Sequence, residues 1–198
     1  MPKKRKIHIK EKILRTAAKL FSERGCNEVT TRDLAAAVGI RAASVYYHFP
    51  VKGDIPRVLY KCYSDERIKA TPDLGELLKL ADSAPLNEVL LKAEIIYNED
   101  IREFLDQILV IALRNIGIDH EAERFIQENI FDATRNILKP VLERMVELGK
   151  IKLVDIDTFI DVQLSFKLGT VALSRASNES IRSRYRAGLP YVYSILRN

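Results

Sequence analysis

Gly25–Pro50 reads GCNEVTTRDLAAAVGIRAASVYYHFP, and this stretch decides the fold. Thr30 can cap a helix that starts at Thr31, and Asp33, three residues on, is placed to answer it and to put negative charge at the helix's positive end. Gly39 stops that helix after Val38. Beyond a short turn a second helix is expected over Ala42–His48, because Pro50 disfavours helical backbone at the residue before it. Upstream, Ile13, Leu14, Ala17, Ala18, Leu20 and Phe21 recur at helical spacing. They predict a longer helix from Ile7 or Ile9 to Arg24, with Gly25 as the left-handed residue that ends it. Two short helices on a Gly-containing turn, braced by a longer helix, make a helix-turn-helix, the plan whose second short helix enters the DNA major groove. Val45 and Phe49 should pack inward, and Ala42, Ser44, Tyr47 and His48 should face out.

Charge points the same way. Residues 1–69 carry 16 Lys/Arg against 7 Asp/Glu, a balance of +9, whereas residues 70–198 carry 16 against 20. A basic first third on a mildly acidic remainder suits a polyanion-binding head on a body with another task. With 47% apolar and 30% charged residues and few Gly and Pro, the chain has the composition of a helical globular protein. No apolar run reaches membrane-span length and no signal-peptide pattern opens the chain, so a cytoplasmic protein without membrane contact is expected. Cys26 and Cys62 are far apart and outside any CxxC spacing, which reads as two small buried hydrophobes. No GxSxG, GxGxxG, GxxxxGK or HExxH pattern occurs. An enzyme is therefore not expected, nor a metal or cofactor. Asp119-His120-Glu121-Ala122-Glu123 holds ligating atoms but sits at an expected helix start, where acidic residues are favoured anyway.

Residues 13–52 resemble the DNA-binding domain of TetR-type (tetracycline-repressor-like) regulators. The matching positions are Ile13, Ala17-Ala18, Leu20-Phe21, Gly25, Thr30-Thr31, Leu34-Ala35, Val38-Gly39-Ile40, Val45-Tyr46, His48-Phe49 and Lys52. The resemblance implies an all-α chain, with a three-helix, homeodomain-like helix-turn-helix domain over 1–51 and a helical effector-binding and dimerisation domain over 52–198. It also implies a homodimer on double-stranded, pseudo-palindromic operator DNA, released by a small-molecule effector. An adaptor of the same fold that answers to a protein partner is the alternative. Carried over by position, Thr31 meets phosphate at the start of the first short helix, and Arg41, Ala42 and Ser44 meet base edges at the start of the second. Tyr46, Tyr47 and His48 make phosphate and base contacts, and Lys52 a further phosphate contact.

Three features depart from that pattern. Arg41 replaces a Ser-type cap. Ala42 and Ala43 replace more usual Lys and Gly, leaving the recognition helix poor in donors. Gly53-Asp54-Ile55-Pro56 places the start of the next helix at Asp54, since Pro suits a helix's first turn. The run Pro2-Lys3-Lys4-Arg5-Lys6 reads as a flexible basic arm adding phosphate or minor-groove contacts.

Beyond Lys69, two short helices are expected before residue 98. A helix over Asp100–Ile116, apolar nearly all round, should be the buried centre of its domain. A long helix over Asp119–Leu148 should bury Ile126, Ile130, Ala133, Ile137, Val141, Met145 and Leu148, kinking at Pro140. Residues 155–175 carry two apolar stripes, Ile156, Ile160, Leu164, Leu168 and Val171 opposite Phe159, Val162, Phe166, Gly169 and Leu173. A helix with two stripes must bury both, and a symmetric partner is the simplest cover for the second. With the last helix, over 178–196, this makes Phe159, Val162, Phe166, Leu173, Tyr185, Leu189 and Val192 the expected dimer interface. Tyr97, Phe104, Ile108, Phe125, Phe131 and Phe166 are the candidate lining of an apolar effector site.

Overall fold

A computed structural model describes residues 2–93, 99–152, 155–177, 187–189, 191–192 and 194. Its elements are α1 (Pro2–Arg24), α2 (Thr31–Val38), α3 (Ala42–His48), α4 (Asp54–Ala70), α5 (Leu74–Ser83), α6 (Leu86–Ala93), α7 (Glu99–Arg114), α8 (His120–Ile126), a π-helical segment (Gln127–Asp132), α9 (Ala133–Glu147) and α10 (Ile156–Ser177). Every element among the described residues is helical, as expected. The chain gathers into two compact units: residues 1–69 with 97–126, and residues 70–96 with 127–198.

In the first unit α1 is the common wall. Its Ile13, Ala17 and Ala18 are fully buried and Phe21 nearly so, and α1 packs against both α2 and α7. The alanines allow this, because a face without bulk lets a neighbouring backbone come close. Val29, Leu34, Ala35, Val38, Val45 and Phe49 complete the core of the three-helix head. Gly25 (φ 96°) and Gly39 (φ 78°) take the left-handed conformation that ends α1 and α2, which other side chains adopt only at a cost. From α7, Leu105, Ile108, Leu109, Val110, Ile111 and Ala112 are buried, and the helix lies in the unit that holds α1–α4. On α4 and α8, the Tyr60 ring stacks on Phe125 (4.7 Å between centroids, 18° between planes) and Tyr63 meets the same ring edge-on at 5.0 Å.

The second unit joins α5 to α6 and α9, and α9 to α10. Leu77, Ala81, Val89, Val141, Leu142, Met145 and Ile160 are fully buried there. Lys150 Nζ donates to the carbonyls of Ala81 (2.6 Å) and Ala84 (2.9 Å), which closes the exposed end of α5. Across α9 and α10, Arg135 pairs with Asp161 at 2.6 Å and Lys139 with Asp157 at 2.7 Å.

Several expectations change. Helix α1 starts at Pro2, so the basic run Lys3–Lys6 is helical and not a flexible arm. No glycine separates it from Ile9, Lys and Arg propagate a helix well, and Pro2 suits a first-turn position. The long helix over 119–148 is interrupted by the π-helical segment, where Gln127 Nε2 donates to Asp132 Oδ1 at 2.7 Å. A π turn accommodates one extra residue. Beyond it Val141 and Met145 are buried as expected, but Ala133 and Ile137 are half-buried, Leu148 is exposed, and Leu138 and Leu142 join the buried set. Pro140 lies inside α9. The expected last helix falls mostly outside the described residues, which show helix at 187–189, 191–192 and 194. Cys26 and Cys62 are free, half-buried thiols, pushed up in pKa mainly by burial.

The capping box of α2 is complete. The Asp33 amide donates to Thr30 Oγ1 (3.1 Å), and the Asp33 carboxylate takes the Thr30 amide and hydroxyl (2.8 Å each). These bonds, with Arg24 nearby, hold the Asp33 carboxyl below its usual pKa. A depressed carboxylate contributes stability above its unfolded pKa and loses it as pH falls through the folded one. Thr30→Ala should therefore cost about 1 kcal/mol in thermal or denaturant unfolding. Asp33→Asn should flatten the part of the stability profile that falls away below about pH 4. A Thr30→Ala protein with unchanged melting would show that the box carries no stability.

Candidate nucleic-acid interface

The candidate interface comprises two helix starts and one helix face. α2 begins at half-buried Thr31, and Arg32 follows it, exposed to solvent. α3 begins behind Arg41, whose backbone is extended (φ −76°, ψ 147°) and whose side chain makes no capping bond. Arg41 is exposed, so the departure from a Ser-type cap leaves a cation at the head of α3. Along α3, Val45 and Phe49 are buried at 1% and 4% exposure, while Tyr46 and Tyr47 stand out at 52% and 66%. Ala42, Ser44 and His48 are half-buried beside them, and the His48 ring lies edge-on to Tyr47 at 5.2 Å. Burial of Val45 and Phe49 fixes the rotation of the helix, and that rotation leaves Arg41, Ala43, Tyr46 and Tyr47 exposed, with Ala42, Ser44 and His48 half-buried.

Lys52 is placed differently. α4 begins at Asp54, as the Gly-Asp-Ile-Pro run implied, and Lys52 stays in the preceding turn. Its Nζ donates to the carbonyls of Cys26 (2.8 Å) and Val29 (2.9 Å), the chain that leads from α1 into α2. Lys12 likewise reaches the Val38 carbonyl at 3.0 Å, at the end of α2. Part of the basic charge of the head thus closes helix ends internally.

Arg32 was not among the residues picked from the sequence. A signal was present, since a cation in a helix's first turn opposes the helix dipole and needs another reason to be there. It is exposed to solvent beside Thr31 at the start of α2.

The six candidate effector residues divide between the units. Phe104, Ile108 and Phe125 belong to the first: Ile108 is fully buried, Phe125 is held by Tyr60 and Tyr63, and the Phe104 ring carries the Arg15 guanidinium at 5.1 Å. Phe131 and Phe166 belong to the second and are half-buried, and Tyr97 lies outside the described residues. The hydroxyl of Tyr60 is buried with no hydrogen-bond partner among the described residues, and burial raises its pKa well above the ordinary phenol value. A cleft of about 530 Å³ in the second unit is lined by Ala70, Pro72, Glu76, Leu80, Glu88, Leu91 and Lys92, none of them a candidate from the sequence.

The expected interface residues separate too. Val162 is 42% exposed, but Phe159, Leu189 and Val192 are buried within the chain itself. Phe166 is covered by the short helical stretch at 187–189, since a Cβ on Gly188 would collide with its ring. Tyr185 and the side chain of Leu173 lie outside the described residues. Tyr191, not picked from the sequence, is 79% exposed.

Residues 13–56 match the family of bacterial regulatory proteins, tetR family. Over 57 residues the chain is 44% identical to the biofilm operon icaADBC HTH-type negative transcriptional regulator IcaR of Staphylococcus aureus, a match that spans 29% of this chain and 31% of IcaR. Among solved structures, a TetR-family transcriptional regulator from Agrobacterium tumefaciens is similar with a TM-score of 0.69 at 22% identity, over 96% of this chain and 99% of that one. SmeT, solved in complex with triclosan, is similar with a TM-score of 0.60 at 16% identity, over 96% and 92%. The chain carries the N-terminal helix-turn-helix segment of the bacterial tetR family of regulatory proteins, on the all-helical fold of that family's solved structures.

Proposed function

We propose that the chain is a sequence-specific DNA-binding transcriptional regulator, a homodimeric repressor released from its operator by a small apolar ligand. The observation that carries this reading is the outer face of α3. Two tyrosines more than half exposed, with Arg41 at the helix head and Arg32 at the head of α2, sit in a segment whose charge balance is +9. Such a face has no core to serve and matches a groove lined by phosphate. The likeness of this segment to IcaR, a negative transcriptional regulator, supports repression.

Residues 1–51 do the reading, and residues 52–198 bind the effector and the second copy. Thr31, Arg32, Tyr46 and Tyr47 supply phosphate and backbone contacts, while Arg41, Ser44 and His48 reach base edges. Ala42 adds apolar contact with thymine methyl groups. With few donors on α3, DNA shape and phosphate geometry supply much of the recognition. Selection from random duplexes should yield a pseudo-palindrome whose half-sites lie one helical turn or a multiple apart. Tyr47→Ala should weaken binding to it without altering the melting temperature. No enriched sequence at all would contradict the reading.

Val162 on α10 and Tyr191 in the last helical stretch are large apolar side chains left exposed in the single chain, which supports a second copy as their cover. Phe159, Leu189 and Val192 then act as the packed layer beneath the interface. Sedimentation should give about 45 kDa, twice the 22.6 kDa chain, and Val162→Asp should shift the equilibrium toward monomer. A monomeric wild-type protein at micromolar concentration would refute the dimer.

For the effector, the Tyr60 ring stacked on Phe125, with Tyr63 edge-on to it and a Tyr60 hydroxyl without a hydrogen-bond partner among the described residues, favours a flat apolar molecule carrying one hydrogen-bond acceptor. An unmet buried hydroxyl costs about 1–3 kcal/mol, which an acceptor on the ligand would recover. That SmeT binds triclosan on the same fold agrees with small-molecule control. A thermal-shift screen of aromatic compounds should find one that stabilises the protein and weakens DNA binding by roughly 5–150-fold. Tyr60→Phe should blunt its effect, and equal response in that variant would remove Tyr60 from the site.

A further inference from the structure

By family resemblance Lys52 is a phosphate contact, but its surroundings assign it different work. We propose that Lys52 is a positioning residue: it locks the α1–α2 turn, and through that turn the start of α2, while making no phosphate contact of its own. The proposal rests on the DNA-binding reading above.

Two of the three ammonium hydrogens are spent on the carbonyls of Cys26 and Val29, 26 and 23 residues away in sequence. Both bonds are short and part-buried, and Val29 is fully buried. Drawing the ammonium out to a phosphate would leave two carbonyls of this turn unmet, a cost that a solvent-exposed ion pair does not offset. The turn is also held from the other side. Arg114 Nη1, at the end of α7, donates to the Ser22 carbonyl at 3.0 Å, and Asn115 Nδ2 approaches Cys26 Sγ at 4.0 Å. The chain from Ser22 to Val29 is thus gripped by the α3–α4 turn and by α7, and it delivers Thr30, the cap of α2. What Lys52 fixes is where Thr31 and Arg32 stand relative to α3.

The test is the salt dependence of binding to the selected duplex, with the full chain in its wild-type form and as four variants. Arg32→Met, removing an exposed cation beside the DNA, should flatten the log-log slope by about 0.9 for each phosphate that it no longer neutralises. Lys52→Met should lower affinity by roughly tenfold at low and high salt alike and leave the slope unchanged. Arg114→Met, which loosens the same turn, should do the same, and the variant combining Lys52→Met with Arg114→Met should be less than additive. A flattened slope for Lys52→Met, with its defect vanishing at high salt, would overturn the proposal. So would a lower melting temperature with unchanged affinity in the folded protein, the sign of a merely structural lysine. If Lys52→Met does not fold, wild-type protein answers through amine acylation read by mass spectrometry. Lys52 should react more slowly than exposed Lys61 in free protein and gain no further protection on DNA. Fast reaction in the free protein with protection only on DNA would again overturn the proposal. If wild type shows no salt-dependent DNA binding, the DNA reading has failed, and the free-protein acylation rates still report on the clamp.

Discussion

Two neighbours press on one helix. α1 is approached by α2 on one side and by α7 on another, and Ile13, Ala17 and Ala18 are sealed from water in the process. The alanines let both partners close on α1, so the reading head and α7 share a wall. Adding a methylene at either alanine would force a shift of α2 or α7 that costs about 1–3 kcal/mol. Any influence on α7 therefore has a short physical route to α2 and α3.

The basic residues of the first unit do two jobs, and formal charge does not separate them. Lys12, Lys52 and Arg114 close backbone carbonyls at helix ends and in the α1–α2 turn. Arg32 and Arg41 keep their heads in solvent. Part of the charge balance of +9 over residues 1–69 is thus held at internal carbonyls, by Lys12 and Lys52. The second unit repeats the device, with Lys150 on the carbonyls that end α5.

How much of this was legible in the sequence follows from the range of each interaction. The bounds of α2 and α3 were readable because caps act over three or four residues: Thr30 with Asp33, Gly39, and Pro50 beyond His48. The burial of Val45 and Phe49, and so the outward turn of Tyr47, followed from helical period. The internal bonds of Lys52 were not legible because its partners lie more than 20 residues away, where no local rule reaches. The π-helical segment left no mark in the sequence, because inserting one residue leaves the 3–4 spacing of apolar residues nearly unchanged; beyond it Val141 and Met145 are buried together with Leu138 and Leu142. Phe159, Leu189 and Val192 were assigned to a partner because the second stripe of α10 and the apolar positions of the last helix show only that something covers them, not which chain does.

The central claim is that α3 and the start of α2 form the surface that meets DNA. Amide hydrogen exchange on the full chain, with and without the selected duplex, tests it directly. Binding should slow exchange at Thr31–Asp33 and Arg41–His48 and leave the second unit's α9 unchanged on its buried side. Protection concentrated elsewhere, with α3 unaffected by DNA, would contradict the account.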